Sequence, residues 1–104
     1  MSMYNILKFT TRCPRCGNIA PMEAEFRFGL LNLDVYELGD TIRWSVNGHG
    51  LRFPKRRPEN GDYIGEGYVE CPKCHKDFWI KIVVNSDRIE RAEVDVGRLG
   101  YIVR

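Results

Sequence analysis

The sequence contains no long apolar run and no strong excess of charge of one sign. No stretch approaches the ~20 consecutive apolar residues that a membrane-spanning helix needs. The opening residues, MSMYNILKFT, lack the charged start and sustained apolar core of a secretory signal. A formal net charge of +2 is too small to indicate a nucleic-acid-binding protein by itself. We therefore expect a cytoplasmic protein that does not enter a membrane.

Catalytic groupings and helical periodicity are also scarce. His49 lies in the turn-like sequence NGHG and has no identifiable nucleophile or carboxylate partner, which favours a turn residue over a catalytic one. The one candidate helix, GLLNLDVYEL, also alternates as a strand through Leu31, Leu33 and Val35, and we prefer the strand. The sequence therefore predicts a mainly β protein that is not an enzyme.

Alternating apolar and polar residues predict strands along most of the chain. In one example, Met22, Ala24 and Phe26 share a face, with Glu23 and Glu25 on the other. The sequence NSDR has the residues of a turn and predicts a hairpin between two late strands. At 104 residues, these strands predict a single domain, residues 1–104, built on a small antiparallel sheet. The predicted strands cover residues 5–11, 20–28, 31–38, 41–46, 63–70, 77–84 and 91–96.

The four cysteines occur in two short motifs of the same form, RCPRCGN and ECPKCHK. Two residues separate the cysteines of each pair, so one tight turn can direct both thiolates at a common point. A proline fixes φ at the start of each turn, and Gly17 can adopt positive φ at the end of the first. His75 occupies the position of Gly17 in the second motif. We expect it to be a turn residue, with metal ligation as the alternative.

The spacing of the cysteines favours metal binding over disulfide formation in a reducing cytosol. Four thiolates at about 2.3 Å suit zinc and leave no coordination position open, which indicates a structural site. Two redox-active C-x-x-C pairs are the weaker interpretation, because no βαβ pattern surrounds either motif. We therefore expect one structural Zn²⁺, and the predicted ligands are Cys13, Cys16, Cys71 and Cys74.

The motifs CPRCG and CPKCHKDFWI resemble the paired knuckles of zinc-ribbon and rubredoxin-like proteins. The resemblance covers the knuckles, residues 13–17 and 71–75, and their flanking strands. It implies a zinc-ribbon type of sheet domain with the four cysteines as ligands, and the long insertion between the knuckles departs from the usual pattern. Iron in the same site, in a rubredoxin-like electron carrier, is the alternative to zinc. The insertion and His75 both favour zinc.

The longest segment without periodicity covers residues 46–62, and we expect a flexible basic loop there. Its sequence GLRFPKRRP places cationic side chains beside an aromatic ring, a combination that suits the phosphates and bases of single-stranded nucleic acid. A solvated loop without a ligand is the alternative. The candidate binding residues are Arg52, Phe53, Lys55, Arg56 and Arg57.

Acidic residues are concentrated between Met22 and Asp40. Glu23, Glu25 and Glu37 form an acidic face that suits a basic protein, with an ordinary charged surface as the alternative. A protein adaptor or inhibitor is therefore a second class of function beside nucleic-acid binding. The sequence as a whole predicts a non-catalytic, zinc-stabilised binding module whose partner is a protein or a single-stranded nucleic acid.

Overall fold

The computed structural model describes residues 3–45 and 57–98. This part of the chain is mainly β, as the alternating pattern predicts, and contains one short 3₁₀ turn at Glu59–Gly61. No helix in the described ranges has the length and apolar character needed to cross a membrane. The strands are β1 Asn5–Arg12, β2 Ile19–Phe26, β3 Val35–Glu37, β4 Tyr63–Glu70, β5 Asp77–Asn85 and β6 Arg88–Val94.

The six strands form one curled sheet in the order β3-β1-β2-β4-β5-β6. Neighbouring strands are antiparallel except β1 and β3, which are parallel, with Ile6 opposite Val35. The sheet is therefore mixed at one edge, where the sequence predicts antiparallel pairing throughout. The parallel pair arises because the segment between β2 and β3 crosses the end of the sheet before β3 joins β1.

Two hairpins, β1–β2 and β4–β5, place both cysteine motifs at the same end of the sheet. Residues 13–18 connect β1 to β2, and residues 71–76 connect β4 to β5. Because β2 leaves the first connection and the antiparallel β4 enters the second, the two connections lie side by side. Only two register pairs join β2 to β4, Ala24 with Val69 and Glu25 with Tyr68. The hairpins are therefore weakly joined at the end that carries the cysteines.

The hydrophobic core covers one face of the sheet. Along β5, Phe78, Ile80 and Ile82 are buried, and the side chains between them point to the other face. The glycines of β4 make room for this core. A Cβ on Gly65 would lie 2.5 Å from the ring of Phe28, which is fully buried. Close packing of Phe28 on the bare backbone of β4 therefore explains this glycine.

Two of the predicted strands differ most from the structure. The strand predicted over 31–38 is confined to β3, because Leu33 has a φ of 55° and interrupts the extended backbone. The strand predicted over 41–46 is wrong for residues 41–45, where Thr41 forms a single bridge to Arg88. Ile42 and Trp44 pack against the core instead. Apolar alternation in this segment thus reflects burial without sheet pairing.

The predicted hairpin after β5 is present and has a two-residue turn. Ser86 and Asp87 have φ values of 52° and 70°. Positive φ at both central residues is typical of the type I′ turn, whose twist matches that of paired strands. β6 therefore begins at Arg88, earlier than predicted. A bulge at Glu90 then shifts the register between β5 and β6.

Candidate metal centre

The two cysteine knuckles have the same backbone geometry. The N–H of Gly17 donates to the carbonyl of Cys13 at 2.9 Å, and the N–H of His75 donates to the carbonyl of Cys71 at 2.9 Å. Gly17 and His75 have φ values of 82° and 63°. Both positions therefore adopt the left-handed conformation that the sequence predicts for the turn residue.

Backbone N–H groups surround the first sulfur of each knuckle in the same way. The N–H of Arg15 lies 3.3 Å from Sγ of Cys13, and the N–H of Lys73 lies 3.3 Å from Sγ of Cys71. Hydrogen bonds of this kind stabilise the thiolate, which is the form that binds a metal ion. The backbone of each knuckle therefore offers a hydrogen bond that stabilises the thiolate of its first cysteine.

The knuckles bring the four predicted ligand residues into one cluster. All four Sγ atoms lie within 4.8 Å of one another, and the Cys13–Cys74 and Cys16–Cys71 sulfur pairs are each separated by 3.8 Å. Four sulfurs at about 2.3 Å from a central ion are about 3.8 Å apart in a regular tetrahedron. The cluster therefore has the dimensions of a four-thiolate site and can hold a metal ion.

His75 does not belong to this cluster. Among the described residues, the group that could hold a metal ion consists of the four cysteines alone. The His75 side chain is 74% exposed, and its Nδ1 atom lies 3.8 Å from the carboxylate of Glu70. The structure therefore supports its assignment as a turn residue over its alternative assignment as a ligand.

The two thiols of the first knuckle differ in acidity. Burial raises the pKa of the Cys13 thiol to about 11. A hydrogen bond from the backbone of Asn18 lowers the pKa of the exposed Cys16 thiol to about 7. Near neutral pH, Cys16 is therefore partly ionised without a metal ion, whereas Cys13 must release its proton when an ion binds.

The buried Asp77 joins the first knuckle to the hairpin that carries the second knuckle. Nη1 of Arg15, in the first knuckle, donates to the carbonyl of Asp77 at 2.8 Å and lies 3.8 Å from its carboxylate. The Tyr68 hydroxyl donates to Oδ2 of Asp77 at 2.6 Å, and Asp77 is fully buried. This hydrogen bond is the main reason that the pKa of Tyr68 is raised to about 12. Arg15, Asp77 and Tyr68 therefore support the end of the sheet that carries the cysteines.

Sequence reasoning does not identify Asp77 as part of the centre. Strand alternation places it on the same face as Trp79 and Lys81, where solvent exposure is expected for a carboxylate. Asp77 is nevertheless buried, and it forms hydrogen bonds with Arg15 of the first knuckle and Tyr68 of β4. The one signal available is its place directly after the second knuckle.

The predicted basic binding segment lies mostly outside the described residues. Arg57 is described, and its Nε donates to Oδ1 of Asp87 at 2.8 Å. Its charge is therefore matched by a carboxylate, and nucleic-acid binding through this segment stays a prediction. The predicted residues outside the described ranges are His49, Arg52, Phe53, Lys55 and Arg56.

The predicted acidic face is divided in the structure. Glu23 and Glu25 line a groove of about 430 Å³ on the face of the sheet opposite the core. Glu37 is instead on β3, in register with Lys8 of β1, and does not line the groove. The groove also contains Tyr68 of β4.

Comparisons with protein-family models, with curated proteins and with solved structures give no match for this chain. The likeness of the knuckles to zinc-ribbon and rubredoxin-like proteins therefore remains a likeness of short motifs. Any functional conclusion depends on the geometry of the chain itself.

Proposed function

We propose that this protein is a non-catalytic binding module whose fold is stabilised by one Zn²⁺ ion. Its ligands are Cys13, Cys16, Cys71 and Cys74. The observation that carries the proposal is the pair of 3.8 Å sulfur separations, which match the edges of a four-thiolate tetrahedron. Four protein ligands leave no position for a substrate or an activated water, which supports a structural ion.

The position of the cluster suits a structural role. An ion there joins the two hairpins at the end where β2 and β4 share only two register pairs. It also closes residues 17–70 into a loop and so lowers the entropy of the unfolded chain. Structural zinc sites release on the order of 10 kcal/mol of binding energy, comparable to the whole stability of a small domain. Loss of the ion should therefore unfold or loosen the protein.

Iron is the alternative ion, since the same four ligands and the same sulfur separations suit both metals. With iron the protein would be a rubredoxin-like electron carrier. Zinc is favoured because His75 and the long insertion both depart from the pattern of a compact electron carrier.

Reversible metal removal tests the proposal. Under reducing conditions, a chelator should abolish the cooperative thermal transition seen by circular dichroism, and one equivalent of zinc should restore it. Cys16→Ser should weaken zinc binding strongly. Asn18→Ala is the matched control, because it removes a side-chain nitrogen 3.5 Å from the Cys16 sulfur and keeps all four ligands. Cooperative unfolding at an unchanged midpoint after metal removal would contradict a structural ion.

A further inference from the structure

The face of the sheet opposite the core carries a groove that the metal centre does not use. It has a volume of about 430 Å³ and lies where β2 and β4 diverge toward the knuckles. Glu23, Glu25 and Glu70 line it as carboxylates, and Ile6 and Pro72 contribute apolar surface. The groove therefore combines acidic and apolar groups.

The carboxylates of this groove form few ion pairs with the described cationic side chains. Within residues 3–45 and 57–98, neither Glu23 nor Glu25 forms an ion pair. Lys8 lies opposite Glu23 in the β1–β2 register but makes no salt bridge with it. Among the residues that the structure describes, Glu70 is paired only with Nδ1 of His75, at 3.8 Å. This local negative charge stands out on a chain whose formal net charge is +2.

The spacing of the carboxylates matches an extended peptide. Glu23 and Glu25 are alternate residues of β2 and point to the same face, so their backbones are about 6.8 Å apart. An extended ligand repeats at the same distance, and cationic side chains at alternate positions can therefore reach both carboxylates. The Tyr68 ring lies beside them and is held by its 2.6 Å hydrogen bond to Asp77. It offers a fixed surface for the aliphatic stem of a lysine or an arginine.

We propose that this groove binds an extended segment of another protein with lysine or arginine at alternate positions. The inference rests on the proposed function in one respect, namely that the chain acts as a binding module. A nucleic acid is disfavoured at this surface, because the same three carboxylates that attract a cationic peptide repel phosphates.

A labelled peptide of alternating lysine and valine tests the groove by fluorescence anisotropy. We expect the wild-type protein to bind this peptide, with an affinity that falls as salt is added. The Glu23→Gln, Glu25→Gln double variant should bind about fivefold more weakly, since each exposed ion pair contributes modestly. The control is Glu37→Gln, Glu59→Gln, which changes the net charge equally at exposed residues outside the groove.

The control variant should bind as the wild type does. Equal weakening in both double variants, or no weakening in the groove variant, would overturn the proposal. Alternating glutamate and valine serves as the control peptide, and binding of that peptide with the same affinity would also contradict it.

Metal content measured on every sample separates this proposal from the proposed function. Zinc-loaded wild-type protein that fails to bind the lysine peptide overturns the groove and leaves the zinc site standing. Peptide binding by a protein that never takes up metal supports the groove and overturns the zinc site. Sedimentation of the protein without peptide tests whether a second copy of the chain occupies the groove. Self-association that is lost in the groove variant would make a second copy the occupant and overturn the assignment to another protein.

Discussion

The indole N–H of Trp44 donates a 2.9 Å hydrogen bond to Oδ1 of Asp87, the carboxylate in the turn between β5 and β6. The same oxygen accepts the Nε–H of Arg57 at 2.8 Å. The backbone N–H of Asp87 donates to the carbonyl of Gly61 at 2.9 Å. One hairpin turn therefore anchors residues on both sides of the segment 46–56 to the sheet.

Gly61 leaves no room for a side chain at this anchor. Its φ is 70°, and an added Cβ would lie 2.1 Å from Oδ1 of Asp87. Gly61→Ala combines a backbone cost of about 1–2 kcal/mol with displacement of the carboxylate, so the free energy of unfolding should fall by more than about 2 kcal/mol. Gly39→Ala is the matched control, because Gly39 has a φ of 95° and no atom within 4 Å of the added Cβ. Urea unfolding that shows equal losses for the two variants would argue against the contact.

Tyr68→Phe tests the hydrogen bond between β4 and the buried Asp77 at the start of β5. The change keeps the ring and removes the hydroxyl that lies 2.6 Å from the buried carboxylate of Asp77. Hydrogen bonds to charged groups contribute about 1.5–3 kcal/mol, so we expect a loss of about 2 kcal/mol in denaturant unfolding. Tyr63→Phe is the control, since its ring packs 5.0 Å from that of Phe28 and its hydroxyl makes no hydrogen bond within the described ranges. A comparable loss in both variants would contradict a special role for Tyr68.

His75→Gly should stabilise the protein slightly and leave its metal content unchanged. His75 has a φ of 63°, which costs a residue with a side chain about 1–2 kcal/mol. Part of the gain is offset by the greater freedom of glycine in the unfolded chain, so an increase of up to about 1 kcal/mol is expected. The reciprocal variant, Gly17→Ala, should lower the free energy of unfolding by about 1 kcal/mol, because Gly17 has a φ of 82°. The loss should not exceed this backbone cost, since the added Cβ meets no atom within 4 Å. Loss of zinc from His75→Gly would instead identify the imidazole as a ligand.

Zinc affinity should rise with pH, because each thiol must lose its proton to bind the ion. Above a pH of about 7, Cys16 is already a thiolate and no longer contributes a proton. Cys13 still releases one up to a pH of about 11. The logarithm of affinity should therefore climb more steeply with pH below 7 than above it. Competition with a chelator of known affinity across this range measures the slope, and a slope that does not change near 7 would contradict the different acidity of these thiols.

The strands that alternation identifies are those whose side chains face core and solvent in turn. β4 and β5 match their predicted spans closely, because Phe78, Ile80 and Ile82 give an unbroken buried face. Residues 41–45 show the limit of this reasoning. Ile42 and Trp44 alternate with polar residues and are packed on the core, yet this segment forms no ladder. Alternation of apolar and polar residues indicates which side chains are buried, whereas strand pairing depends on which other backbone segment lies beside the strand.

The cysteine cluster is accessible to sequence reasoning because its signal is local and repeated. Each C-x-x-C spacing determines one turn, and four thiolates have few other uses in a reducing compartment. The support from Arg15 and Asp77 is not accessible in this way. These residues are distant in sequence and meet only because β2 and β4 bring the two knuckles to one end of the sheet. The groove cannot be predicted from the sequence for the same reason, since its carboxylates come from different strands.

The metal content of freshly purified, reduced protein tests the central claim most directly. Native mass spectrometry, with a visible absorption spectrum of the same sample, measures both the identity and the number of bound ions. The proposed structural zinc site predicts one zinc ion per chain and a colourless protein. A chain that carries no metal would contradict the claim, and one iron with a red colour would replace zinc with an electron-transferring centre.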